Sequence, residues 1–223
     1  MAYQPLAERK PLRLPSLPVA WKPGEHVAII GDTGSGKTYL ISMLAKMRNY
    51  VVMLRTKPDD IEFPGFEQTE KADAMNHWYA ERLLIVPKLP KQAREVWLAL
   101  RQTWEHGGWT TIVDELWYTE HRLGLRKEVE NLLTQGRSKK ITMVVGMQRP
   151  SQVSRFAIAE CTHLFSFRLE GRDAKTVAEA STPRIRPVIE QLAGHDFAYF
   201  NRPKRIIATG NANALGGIFT DTA

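Results

Sequence analysis

At 223 residues, with 43% apolar and 25% charged side chains, the chain is long enough to bury a sizeable core, and its composition excludes a disordered or fibrous polypeptide. Its single cysteine, Cys161, excludes an internal disulfide framework and reads as a small buried apolar residue; no run nears the roughly 18 to 20 apolar residues of a membrane span and no signal-peptide core is visible, so a soluble, cytosolic chain is expected. The net charge of +7 and a pI near 9.6 favour a polyanionic partner without singling one out.

Residues 1–24 carry prolines at 5, 11, 15, 18 and 23 and four basic side chains, a mixture that predicts an extended N-terminal arm. Such an arm is either a solvated tail or a segment that clasps a neighbour or touches DNA. From residue 26 the pattern changes to short apolar runs alternating with helical stretches. That alternation predicts one α/β domain over 25–210, with a mostly parallel central sheet flanked by helices on both faces and a short tail over 211–223. The strands are expected at 26–31, 51–55, 83–86, 110–114, 141–147, 164–168 and 197–200, with 205–209 pairing to the last as an edge hairpin. Their runs are blocky, as expected where both faces are buried. Helices are expected at 37–48, 91–106, 124–135, 173–180 and 184–193, with Gly136 as a C-terminal stop. Trp97, Leu100, Arg101 and Trp104 fall at helical spacing, which favours packing over base stacking.

The first strand leads into Gly31-Asp32-Thr33-Gly34-Ser35-Gly36-Lys37-Thr38, a complete G-x-x-x-x-G-K-[ST] loop between a buried strand and a helix. Backbone N–H groups can wrap a triphosphate only where no side chain intrudes, hence Gly31, Gly34 and Gly36. The helix N-terminus adds favourable partial charge, Lys37 reaches the β- and γ-phosphates, and Thr38 is the expected Mg²⁺ ligand. ATP with Mg²⁺ is therefore the predicted cofactor pair.

The run Thr110–Val113 ends in Asp114 and Glu115, which puts two carboxylates at the carboxyl edge of a strand, where ligands of open α/β sheets sit. Asp114 is expected to hold the Mg²⁺ shell and Glu115 to activate water; a dedicated water-activating acid favours hydrolysis over transfer to a small molecule. The next strand ends in Gln148-Arg149-Pro150, so the Gln148 amide reaches the same edge, as a γ-phosphate sensor or a polar strand end. Arg137, Lys139, Lys140, Arg149 and Arg155 form a basic run without an acid. The six histidines show no metal-ligand spacing.

Four segments in order resemble the FtsK/HerA superfamily of ring-forming DNA-pumping ATPases, which includes viral genome-packaging ATPases: GDTGSGKT (31–38), TTIVDEL (110–116), GRSKKITMVVGMQRPSQV (136–153) and THLFSFRLEGRDAKTVAEA (162–180). The resemblance implies a RecA-like P-loop NTPase core of the ASCE class and an ATP-hydrolysing motor that moves double-stranded DNA. It implies a homo-oligomeric ring, a pentamer or hexamer, at work in the host cytoplasm or at the virion packaging vertex, where a portal or vertex protein would dock. Position by position it makes Lys37, Glu115, Gln148 and Arg137 the catalytic set, with Arg137 given in trans and Arg149 as second choice for that arginine. The loop after the acids supplies DNA-contact candidates in Arg122, Arg126 and Lys127, beside Tyr118 and His121; an ordinary charged helix start is the competing reading. A virion or pilus assembly ATPase without DNA as cargo is the alternative function.

Overall fold

The blocky apolar runs become the centre of a nine-stranded sheet in the computed structural model, which describes residues 21–57, 63–77 and 81–214. The strands are β1 (Val27–Ile30), β2 (Val51–Leu54), β3 (Glu67–Thr69), β4 (Arg82–Ile85), β5 (Thr110–Val113), β6 (Thr142–Met147), β7 (His163–Ser166), β8 (Asp196–Asn201) and β9 (Ile206–Asn211). In space their order is β3-β4-β2-β5-β6-β1-β7-β8-β9. The strands from β3 to β7 run parallel, and β8 and β9 close the sheet as an antiparallel hairpin. β6 thus lies between β1 and β5, so the phosphate loop and the carboxylate pair leave the sheet on either side of Gln148.

Alternate residues of each inner strand feed two cores. Ala28, Ile30, Val52, Leu54, Val113, Met143 and Val145 face one side, and Val27, Ile29, Val51, Met53, Ile112 and Val144 the other. Each fully buried Ile, Leu or Val contributes about 1.5–3 kcal/mol by leaving water, which is why these strands resist any shift in register. The first core takes its cover from α2 (Gln92–His106), α3 (Leu116–His121), α4 (Arg126–Gln135), α5 (Phe156–Ala159), α6 (Gly171–Ala180) and α7 (Arg186–Gln191), and the second from α1 (Lys37–Ala45) with Trp21, Phe63 and Ala212. The packed body therefore takes in Trp21 and Ala212, both outside the expected 25–210 bounds. The proline-rich residues 1–20 and the tail from 215 lie outside the described residues.

Three short elements differ from expectation. β3 is a polar edge strand of three residues, too short and too exposed to show alternation. α3 and α5, of six and four residues, are too short to carry a periodic signal. The helix stops at Gly136 as expected, though with a φ of −63°, and the chain runs on through a 3-10 turn to Lys140, which takes the positive φ of 57°. A side chain at Gly136 would meet Ile141 Cβ at 3.2 Å, so close packing explains the glycine.

Candidate active site

The register of the sheet brings four strand ends together at its carboxyl edge. Ile30 pairs with Met147, Val113 with Val145 and Leu54 with Val113, which places Gly31, Asp114, Gln148 and Arg55 side by side. Gly31 N–H donates to Met147 O at 3.1 Å and starts the phosphate loop. A Cβ at Gly31 would come within 2.7 Å of Phe167 Cβ and of Ser35 Oγ, and Gly36 takes a φ of 105°, so neither position admits a side chain without strain. His195, at the start of β8, braces the loop from behind, its Nδ1 3.1 Å from Ser35 O.

Lys37 lies almost buried in this loop, where its ammonium donates to the carbonyls of Gly31 and Asp32, each at 2.7 Å. Burial lowers its pKa, and the fields of Glu115 and Asp114 oppose that shift. The Thr38 hydroxyl stands 3.5 Å from Asp114 Oδ1. Burial raises the Asp114 carboxyl above the usual carboxylate range, against the opposing fields of Arg55 and Lys57. A β-carbon on Gly146 would clash with the Asp114 carbonyl, so this glycine lets β6 pass close under the acid.

Glu115 sits 11% exposed with Oε2 held twice, by Gln148 Nε2 at 2.9 Å and by Lys57 Nζ at 2.8 Å. Gln148 in turn accepts the Thr33 hydroxyl on Oε1 at 3.2 Å, which ties the acid to the phosphate loop. The segment behind Lys57 is anchored: Gln92 Nε2 donates to Thr56 O at 2.9 Å, and the Tyr118 hydroxyl donates to Gln92 Oε1 at 2.9 Å. Lys57, Arg55 and His195 were missed in the sequence because none belongs to a motif. The available signal was that Arg55 and Lys57 follow a strand parallel to the one ending in Asp114.

The other expected residues are scattered. Arg137 is exposed in the 3-10 turn before β6, at the amino edge of the sheet and so opposite its own phosphate loop; its carbonyl lies 3.1 Å from the position a Cβ would take at Gly24. Arg149 stays on the carboxyl edge, with Nη1 3.9 Å from Asp173 Oδ2. Of the DNA-contact candidates, Arg126 is engaged by Glu130 at 2.9 Å, Tyr118 turns towards Gln92, and His121 stacks on Trp117 at 5.3 Å. Arg122 and Lys127 are exposed. Lys139 caps Trp104, 4.7 Å above its ring, while Leu100 enters the core and Trp97 lines a shallow groove between α2 and α4. Cys161 is buried, as expected, with its thiol pushed up in pKa by that burial.

A dicarboxylate or histidine metal cage is not part of this arrangement: among the described residues no group of three or more His, Cys, Asp or Glu converges. One hydroxyl and one carboxylate, both hard oxygen donors, instead fit a Mg²⁺ ion that takes its remaining ligands from phosphates and water.

No family model matches the chain. Over 159 residues, 69% of this chain and 68% of the relative, it is 31% identical to the DNA packaging ATPase P9 of Enterobacteria phage PRD1. The genome packaging NTPase B204 of Sulfolobus turreted icosahedral virus 2, in complex with AMP, has a similar fold, with a TM-score of 0.69 at 13% identity over 86% of this chain and 98% of that one. Its complex with ATP-gammaS gives 0.68 at 12% over 85% and 98%. The pCW3 conjugation coupling protein TcpA gives 0.54 at 14% over 90% and 66%.

Proposed function

The chain belongs to the family of viral DNA-packaging ATPases, and from that premise and the geometry of its phosphate loop we infer that it hydrolyses ATP on residues 31–38 to drive double-stranded DNA, with several copies acting as a ring. The observation that carries this reading is the continuous chain of contacts Thr33–Gln148–Glu115–Lys57, which links the γ-phosphate end of the loop to a general base.

Lys37, now resting on carbonyls, turns to the β- and γ-phosphates when ATP enters, and the loop N–H groups and the start of α1 hold the remaining charge. Thr38 and Asp114 would hold Mg²⁺, and the ion would supply positive charge to the phosphate oxygens. Glu115 takes a proton from the attacking water, the water oxygen bonds to the γ-phosphorus, and the bond to the β–γ bridging oxygen breaks to leave ADP and phosphate. Gln148 bonds Glu115 through its NH₂ and Thr33 through its carbonyl, so loss of the γ-phosphate is felt at both. Arg137, exposed on the opposite edge, is free to enter a neighbour's site and stabilise charge there. Such a shared site accounts for a ring, a pentamer or hexamer, whose junctions relax after hydrolysis, and a portal or vertex protein is the docking partner that this task requires. No helix among the described residues is long and apolar enough to cross a membrane.

The test is steady-state ATP hydrolysis with and without double-stranded DNA at low and moderate salt, beside Lys37→Ala. Stimulation by DNA that fades with salt and vanishes in Lys37→Ala is expected. Lys37-dependent hydrolysis indifferent to DNA at every salt concentration would overturn DNA as cargo and favour an assembly ATPase.

A further inference from the structure

The hairpin turn at the far end of β8 and β9 carries Arg202-Pro203-Lys204-Arg205, four residues without an acid. Because β8 runs antiparallel to β7, with Asn201 opposite His163, this turn lies at the amino edge of the sheet, away from the phosphate loop. Its base is rigid. The Arg202 guanidinium donates to three carbonyls, Cys161 and Ile158 at 3.0 Å and Ala180 at 2.9 Å, and Lys204 N–H donates to Asn201 Oδ1 at 3.0 Å. The bond to Ala180 also fixes the turn against the segment leading to Arg184, so Arg184 and Arg205 line one open depression of about 660 Å³ with Thr182, Pro183, Phe200 and Ile207.

No carboxylate lines that depression, and Arg184, Lys204 and Arg205 are exposed and form no ion pair among the described residues. Arg205 moreover holds a φ of 53°, a left-handed backbone state that residues with a Cβ rarely adopt. Some surface cations on this protein are answered, Arg126 by Glu130, Arg186 by Glu190, Arg101 by Glu105 and Arg168 by Glu170, whereas Arg184, Lys204 and Arg205 share one end of the sheet with no acid between them. Three exposed cations on a pinned turn and its neighbouring loop, with no acid lining the depression, match the sign of a phosphate backbone.

We propose that Arg184, Lys204 and Arg205 form a contact surface for the phosphate backbone of double-stranded DNA, separate from the loop after Glu115. The proposal rests on the reading of DNA as cargo. The loop after Glu115 differs in having acids at hand: Arg126 there is bound to Glu130, and Glu120 and Glu128 stand close by in the chain.

The experiment measures the affinity of the full chain for short duplex DNA across a salt series, beside the combined variant Arg184→Gln, Lys204→Gln, Arg205→Gly, and beside Arg122→Gln with Lys127→Gln. Glycine at 205 accepts the positive φ, and ATP hydrolysis without DNA, which these residues do not enter, reports that the variant is folded. The wild type is expected to bind with log K falling linearly in log salt, and the triple variant to lose about three units of that slope, about one for each lost phosphate contact. The pair at 122 and 127 is expected to change the slope by less than one. An unchanged slope in the triple variant, with wild-type binding intact, overturns the surface and leaves the cargo reading standing. Absence of wild-type binding at any salt removes the cargo reading and the surface with it.

Discussion

At the carboxyl edge of the sheet the charges that face the phosphate loop are answered by other groups: Lys37 by two carbonyls, Glu115 by Lys57 and Gln148, Asp114 by the Thr38 hydroxyl and the field of Arg55. At the amino edge Arg137, Lys140, Lys204 and Arg205 are exposed without ion pairs among the described residues, while His26 is buried between β1 and β6. Chemistry requires charges whose geometry is settled before substrate arrives, since reorganisation during reaction is costly. Contact with a partner requires charges that are still unspent. One sheet serves both needs because parallel strands put all their carboxyl ends on one side and all their amino ends on the other.

The widest separation between the edges is tested by Arg137 and Glu115. If Arg137 is the arginine given in trans, Arg137→Ala is expected to lower DNA-stimulated hydrolysis on the order of 10³-fold with ATP binding retained. Glu115→Gln is expected to bind ATP and turn it over about 10²- to 10³-fold more slowly. Mixed together, the two inactive variants should regain activity, since an Arg137→Ala subunit with an intact Glu115 meets an intact Arg137 across one junction. Mixtures in which co-assembly is verified by crosslinking but hydrolysis stays absent would place both residues in one site and collapse the contrast between the edges.

The carboxyl edge was largely legible because its residues act through short-range spacing. GDTGSGKT is contiguous, and Asp114 and Glu115 close a β-rich run, so a motif and a strand prediction sufficed to bring Lys37, Thr38 and the acids together. Gln148 was found in the same way, at the end of β6. Lys57 was not, because its importance depends on β2 lying beside β5, a pairing that spans 59 positions from Val51 to Thr110 and that no local pattern encodes. The amino edge was hidden for a second reason. Its surface is assembled from two turns, around Arg184 and Arg205, brought together by the Arg202 bond to Ala180, and a half-buried donor of that kind looks in sequence like any other exposed arginine. In the loop carrying Arg122, Arg126 and Lys127, Glu130 engages Arg126 one helical turn away, a pairing that the bare count of basic residues does not show.

The amino edge can be probed through His26, whose buried ring accepts the Met143 N–H on Nδ1 at 3.0 Å. Burial pushes its pKa down from 6.5 to about 4. With the folded value depressed, the unfolded chain takes up the proton first, so stability is complete above about pH 6.5 and falls as the pH drops towards 4. The loss across that window is about 3 kcal/mol. His26→Asn keeps an acceptor for Met143 and removes the titration, so urea unfolding at pH 7 and pH 4 should show the wild type losing about 3 kcal/mol more than the variant. Equal losses in both would mean that the ring is hydrated or protonated in the fold, and that the amino edge is no drier than its exposed cations.

The smallest expected effect bears on how firmly the carboxyl edge is organised. Lys57 is half-exposed, and its bond to Glu115 competes with water, yet both donors to Glu115 converge on Oε2 and leave Oε1 for the attacking water. Lys57→Met removes one charge-assisted donor and keeps the length of the side chain. Gln148 alone then orients the acid, and the expected cost is about tenfold in turnover with little change in the ATP concentration at half-maximal rate, the worth of roughly one such bond acting on the base. Lys57→Arg, which restores a donor, should recover most of the rate. A Lys57→Met enzyme that turns over as fast as the wild type would show that Gln148 and the backbone of α3 suffice to hold Glu115. The contrast between the edges would then rest on the phosphate loop and Asp114, with the cation beside Glu115 as exposed and unspent as those at the far end of the sheet.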